Sequence, residues 1–214
     1  MPKVYLPHVS YHTIRRGNNR GPIFTDDGDR ELFLALLEWA SGRDSVDVNA
    51  FSLMDNHYHL IATPSSETAL PLMMKDLGRE YVKRYNGKHG RMGTLWTGRP
   101  RTIPILDERY WLTCLRYIEQ NPVRAHMVSS PGEYRWSSYA FHALGAASSL
   151  LVPHEVYLAL GSSPEERRAA YRAICETTLS EGELVRQRHS LTAHAYRESD
   201  SHAIPLVSTP DAHP

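Results

Sequence analysis

Two histidines, His57 and His59, flank Tyr58 in the run FSLMDNHYHLIATP. The run alternates apolar residues in the manner of a strand. On a strand, positions i and i+2 share a face. The two imidazoles therefore stand side by side, and Tyr58 points to the other face. Imidazoles so placed make half of a metal site. Taken alone, they also fit two polar residues on an exposed strand face, because two ligands fall short of a full shell.

A second set of reactive residues lies further along, in LRYIEQNPVRA. A helix is predicted from the cap Asp107, with Glu108 in its first turn. It ends near Asn121, because Pro122 disfavours helical geometry in the residue before it. Trp111, Leu115 and Ile118 follow the spacing of a buried stripe. At about 3.6 residues per turn, Tyr110, Cys114, Tyr117 and Asn121 form a neighbouring stripe. Tyr117 and Asn121 are one turn apart and can address one small site. A phenol can act as a covalent nucleophile, and an amide oxygen is a hard metal ligand. The structural alternative is a half-buried core tyrosine and an asparagine that caps a helix end.

Together, H-x-H on a strand and Y-I-E-x-N-P on a helix resemble the single-tyrosine HUH transposases, and more closely the REP-associated tyrosine transposases. The runs YHTIRRGNNR (11–20), LMDNHYHLIATP (53–64), GTLWTGRPR (93–101), RYIEQNPVRA (116–125) and YRWSSY (134–139) come in that family's order. The resemblance covers roughly residues 5–140. It implies Tyr117 as nucleophile, and His57, His59 and Asn121 as ligands of Mg²⁺ or Mn²⁺. The implied substrate is single-stranded DNA carrying a hairpin, nicked through a 5′-phosphotyrosyl link that leaves a free 3′-OH for strand transfer. A monomer is favoured over a dimer, because the REP-associated group tends to act as monomers. No organic cofactor is expected.

The residue types meet the demands of that chemistry. Cutting a phosphodiester needs a nucleophile, charge on the phosphate and a positioned leaving oxygen. A free tyrosine titrates at about 10, so little phenolate exists at neutral pH without help. A divalent cation supplies such help. Two nitrogens and one neutral oxygen leave open positions suited to Mg²⁺ or Mn²⁺. Two other classes use parts of the pattern. One is a non-catalytic nucleic-acid-binding module of ferredoxin-like fold. The other is a small metal-dependent hydrolase that uses water, with Tyr117 structural.

The elements that must position these residues read in a recognisable order. Residues 8–16, 46–54, 57–63 and 94–105 read as strands, and 27–41, 68–86 and 107–121 as helices. The order βαββαβ, with a further helix carrying Tyr117, is the ferredoxin-like (RRM-like) α+β arrangement. In it the histidine strand sits centrally beside the first strand, and His12 could approach the site. A half-buried histidine needs no ligand role, however.

The chain divides into a 5–140 catalytic domain, a 141–190 helical extension and a disordered 191–214 tail rich in Ser, Pro and His. Within the extension, 155–160 and 164–178 read as helical, the second with a stripe at Ala169, Ala173 and Ile174.

Lys plus Arg and Asp plus Glu number 24 each over 214 residues, so net charge is zero. The distribution matters more. Between 75 and 101 lie eight basic residues against two acidic ones, with Tyr81, Tyr85, His89 and Trp96 interleaved. Basic side chains contact phosphates and aromatic faces stack on unpaired bases. Lys83, Arg84, Trp96, Arg99 and Arg101 are the DNA-binding candidates here, with Arg16 from the first strand. Tyr81 and Tyr85 extend the apolar pattern of Leu70, Met73, Met74 and Leu77, and read first as core. No apolar run is long enough to cross a bilayer, and MPKVYLPHVS lacks a secretory apolar stretch. Cys114 and Cys175 fit no zinc spacing and point to a reducing cytoplasm.

Overall fold

The computed structural model describes residues 4–177. Four strands form one antiparallel sheet in the order β2-β3-β1-β4, with β1 Ser10–Arg16, β2 Val46–Met54, β3 His57–Pro64 and β4 Arg101–Ile105. With α1 (Asp27–Asp44) and α2 (Ala69–Lys88) between them, this is the ferredoxin-like βαββαβ core. β3 and β1 are the central pair, as the element order requires.

The strict alternation of β3 assigns its two faces. Tyr58, Leu60 and Ala62 join Tyr11, Phe33, Leu37, Leu70, Leu77 and Tyr81 in the core between the sheet and α1 and α2. Tyr81 and Tyr85 are both buried, so their aromatic mass belongs to this core. Ile61 faces the other way. It joins Ile105, Trp111, Leu115 and Ile118 under α3 (Glu108–Glu119), a cluster completed by Val156, Tyr157, Tyr171 and Cys175.

The tyrosine helix is shorter than its sequence suggests. Asp107 caps α3 by accepting from the Tyr110 amide at 2.8 Å. The helix then stops at Glu119, and Asn121–Arg124 forms a separate turn, α4. Pro122 has no N–H to extend the ladder, and its ring crowds the carbonyl four residues back. The strand expected over 94–105 is also broken. Leu95 and Thr97 still bond to the end of β1, at 2.9 Å each (Asn18 N to Leu95 O, Thr97 N to Arg16 O). The chain then turns at Gly98, with φ of 69°, before β4 begins.

Beyond the core, 134–138 runs along the outer edge of β2, where Leu53 N donates to Trp136 O at 2.9 Å and Ser138 N to Phe51 O at 3.0 Å. This cover removes an exposed sheet edge. A single π-helical turn at Ala140–Leu144, α5 (Glu155–Leu158) and α6 (Pro164–Glu176) follow. The α6 stripe expected at Ala169, Ala173 and Ile174 is incorrect: Tyr171 and Cys175 are buried, whereas Ala169 and Ala173 face solvent. The larger side chains fill the space against α3, and the alanines are left outside. The end of the predicted 141–190 extension and the whole 191–214 tail lie outside the described residues.

Candidate active site

β3 sets His57 and His59 on the sheet face that α3 crosses, with ring centroids 5.1 Å apart. Tyr58 points into the opposite core, 4.8 Å from Phe33, and burial pushes its phenol up to about 12. That placement removes Tyr58 as a nucleophile for this face.

The hydrogen bonds of the two imidazoles define which nitrogens look outward. His57 Nδ1 lies 2.7 Å from Asn56 Oδ1. An amide oxygen can only accept, so Nδ1 carries the proton and Nε2 keeps its lone pair. His59 Nδ1 lies 2.9 Å from His12 Nε2. With the proton on His59 Nδ1, His59 Nε2 also keeps its lone pair, and His12 acts as acceptor. Burial pushes His57 down to about 4, with the Arg16 charge adding to it. Burial pushes His12 to about 3, and holds His59 well below the ordinary histidine range, reinforced by His12, His57, Arg124 and Arg16. Neutral rings with outward Nε2 atoms and anchored Nδ1 atoms are what a divalent cation needs. The pair therefore fits the implied metal. His12 supports His59 from behind.

Tyr117 is half-buried on α3, its ring 6.0 Å from His59 and 6.3 Å from His12. The histidines and the tyrosine thus meet within one chain. Arg124, from α4, lies 4.1 Å over the Tyr117 ring and donates to its main-chain carbonyl at 2.5 Å. Asn121 opens α4 and is half-buried, and its side chain makes no hydrogen bond among the described residues. The break at Gln120 replaces the single continuous helix expected to carry both Tyr117 and Asn121.

Arg16 pairs directly with His57 across β1 and β3. With Arg99 and Arg101 it lines a cavity of about 330 Å³ at the end of β1. These three predicted residues are therefore brought together, although Arg99 precedes β4 rather than lying in it. Lys83 lines a second cavity beside α2, and Arg84 is exposed. Trp96 is buried, with Arg15 4.5 Å over its ring and Tyr58 and Tyr81 at 5.9 and 6.0 Å. One indole face is thus covered, and the ring serves the core. Other members of the basic run are committed internally: Arg79 to Asp76 and Glu80, and Lys88 to Asp26 and Asp29.

Asp26, Asp29 and His89 also bring three ligand atoms close together. Lys88 Nζ lies 2.6 Å from Asp26 and 2.8 Å from Asp29, so an ammonium already occupies that cluster and offsets part of its charge.

Sequence reasoning left out Arg124 and gave His12 little weight. Arg124 stands two turns after Tyr117 in the run RYIEQNPVRA, so its spacing offered a signal. The contact of His12 with His59 depends on β1 and β3 register, which no local pattern displays.

The family model "Transposase IS200 like" matches residues 5–121. No curated protein matches. Among solved structures, the chain is similar to a REP-associated tyrosine transposase bound to a REP hairpin. The TM-score is 0.55 at 16% identity, covering 72% of this chain and 91% of that one. It is less similar to a candidate transposase from Deinococcus radiodurans R1 (TM-score 0.40, 16% identity, 56% and 95% covered). A tRNA(His) guanylyltransferase from Saccharomyces cerevisiae aligns at TM-score 0.44 and 13% identity, with 84% and 82% covered. Neither of these two overlays closely enough to bear on function. The family match spans more than half of the chain and includes His57, His59, Tyr117 and Asn121: the chain belongs to the IS200-like transposase family.

Proposed function

We propose that this chain nicks single-stranded DNA at hairpin sequences and transfers the cut strand, with Tyr117 as nucleophile and residues 5–140 as the catalytic unit. The observation that carries the reading is the approach of the Tyr117 ring to within 6.0 Å of the His59 ring in the same chain. Membership of a transposase family supports DNA processing, and the solved REP-associated transposase it resembles in fold holds a REP hairpin.

His57 and His59, through Nε2, and Asn121, through its amide oxygen, would hold Mg²⁺ or Mn²⁺. Such a cation supplies positive charge that polarises the scissile phosphate. Arg124 holds Tyr117 by ring and backbone, which keeps the phenol oriented. Its guanidinium, beside the Tyr117 ring, would also offer positive charge to the phosphoryl oxygens. The Tyr117 oxygen gives up its proton and attacks phosphorus, and the bond to the 3′ oxygen breaks as that oxygen takes up a proton. The products are a 5′-phosphotyrosyl link and a free 3′-OH. Attack of a 3′-OH on that link reverses the exchange, so one ester replaces another and no ATP is needed. The approach of Tyr117 to His59 within one chain favours a monomer. No described helix is long and apolar enough to cross a membrane, and both cysteines are buried and outside any disulfide. These features accord with a cytoplasmic protein.

A denaturing gel of the protein with labelled hairpin DNA and Mn²⁺ tests the reading. A protein–DNA band that disappears in EDTA is expected. Cleavage without a covalent band would favour a hydrolase that uses water.

A further inference from the structure

A cavity of about 780 Å³ opens between α2 and β4, on the sheet face that α2 covers. It lies within the range of about 300–1,000 Å³ common to small-molecule sites. Pro71, Met74 and Val82 give it apolar walls, Lys75, Lys83 and Arg99 add positive charge, and no Asp or Glu lines it.

Arg15 is the built element of this cavity. Its guanidinium lies 4.5 Å over the Trp96 ring. Gly78 lies against it as well, where a Cβ would meet Arg15 Nη1 at 2.3 Å. A glycine inside a helix is less stable than an alanine. Here the missing side chain makes room for the arginine. Arg15 Nε is buried without a hydrogen-bond partner; elsewhere the guanidinium hydrogen-bonds the Tyr58 phenol, and it pairs with no carboxylate among the described residues. A half-buried guanidinium that lacks an anion suits a phosphate. Apolar walls beside it suit a base.

The cavity also connects to the catalytic face. Arg15 and Arg99 line both this cavity and the smaller one that contains Arg16, next to His57. We propose that the α2–β4 cavity is a second nucleotide site. It takes one unpaired nucleotide of the substrate strand, outside the hairpin, after the strand has passed Arg99 around the start of β4. This inference rests on the single-stranded DNA reading above.

The test uses the full chain and a DNA hairpin with a short unpaired flank, each flank base being replaced in turn by an abasic residue. Wild type should lose about tenfold in affinity at one flank position and little elsewhere. Arg15→Met keeps the apolar contact with Trp96 and removes the charge. It should bind the intact flank about tenfold more weakly and lose the discrimination against that abasic position. Wild-type affinity independent of every flank base, or discrimination retained in Arg15→Met, overturns the proposal. If a thermal melt shows Arg15→Met to be unfolded, photo-crosslinking of wild type to a thiothymidine flank decides instead. A crosslink to the 74–83 segment supports the site, and one that maps elsewhere overturns it. The same oligonucleotides read the covalent reaction separately. An adduct without flank discrimination defeats the cavity alone, whereas absence of both adduct and hairpin binding defeats the underlying DNA reading.

Discussion

His12 Nε2 and His59 Nδ1 lie 2.9 Å apart across the central strand pair, and this contact leaves Nε2 of His59 as its outward nitrogen. Groups that orient a ligating histidine from behind are worth about 10–100-fold in metal affinity. His12→Ala should therefore raise the Mn²⁺ concentration needed for half-maximal adduct formation by a factor in that range. His12→Gln, whose amide oxygen can accept the same proton, should lose less. Identical Mn²⁺ titrations for wild type and His12→Ala would count against an orienting role.

The ligands themselves should show a graded response. His57→Ala and His59→Ala should abolish metal-dependent cleavage, and Asn121→Ala should reduce it less, because a neutral amide oxygen is the weakest donor of the three. Activity of wild type in excess EDTA, or Mn²⁺ bound at Asp26, Asp29 and His89 in a soaked crystal, would refute this ligand set.

Glu119, two residues after Tyr117, has a fully buried carboxylate. It accepts from Ser138 Oγ at 2.5 Å, Tyr171 Oη at 2.6 Å and His142 Nδ1 at 2.7 Å. The bonds tie α3 to the π-helical turn and to α6. Ser138 Oγ can turn to Phe51 O, 3.3 Å away, but His142 and Tyr171 lose their acceptor in the buried interior, so Glu119→Ala should cost about 2 kcal/mol or more. Glu119→Gln keeps one acceptor oxygen and should cost less. Urea unfolding measures both; a Glu119→Ala midpoint equal to wild type would show that these bonds do not hold α3.

Arg16, Arg99 and Arg101 line one cavity beside the histidines. If each contacts a phosphate, each Ala variant should weaken hairpin binding and flatten its logarithmic salt dependence by about 0.7 for a single strand. A fully paired duplex should bind more weakly than the hairpin. Unchanged affinity and slope in all three variants would place the DNA elsewhere.

Much of this arrangement is legible in the chain itself. Apolar alternation around His57 and His59 and the spacing of Trp111, Leu115 and Ile118 are local signals, and each maps onto its element. Gly98 and Pro122 interrupt the elements around them, and the sequence displays both residues. Their effect depends on neighbours, so β4 and α3 are shorter than the strand over 94–105 and the helix over 107–121 that the sequence predicts. Long-range pairings leave no local trace. Trp96 reads as a base-stacking ring because it stands in a basic run, yet Arg15, Tyr58 and Tyr81 surround it. The Glu119 network joins residues up to 52 positions apart, and α6 turns Tyr171 inward to complete it.

The central claim is that Tyr117 becomes covalently joined to DNA. The direct measurement is mass spectrometry of protease digests after reaction with hairpin DNA and Mn²⁺, for wild type and Tyr117→Phe. A nucleotide mass on the peptide containing Tyr117 is predicted for wild type. For Tyr117→Phe, which removes only the hydroxyl, no adduct is predicted, with hairpin affinity and thermal stability nearly unchanged. An adduct that persists in Tyr117→Phe, or that maps to Tyr110, would contradict the assignment.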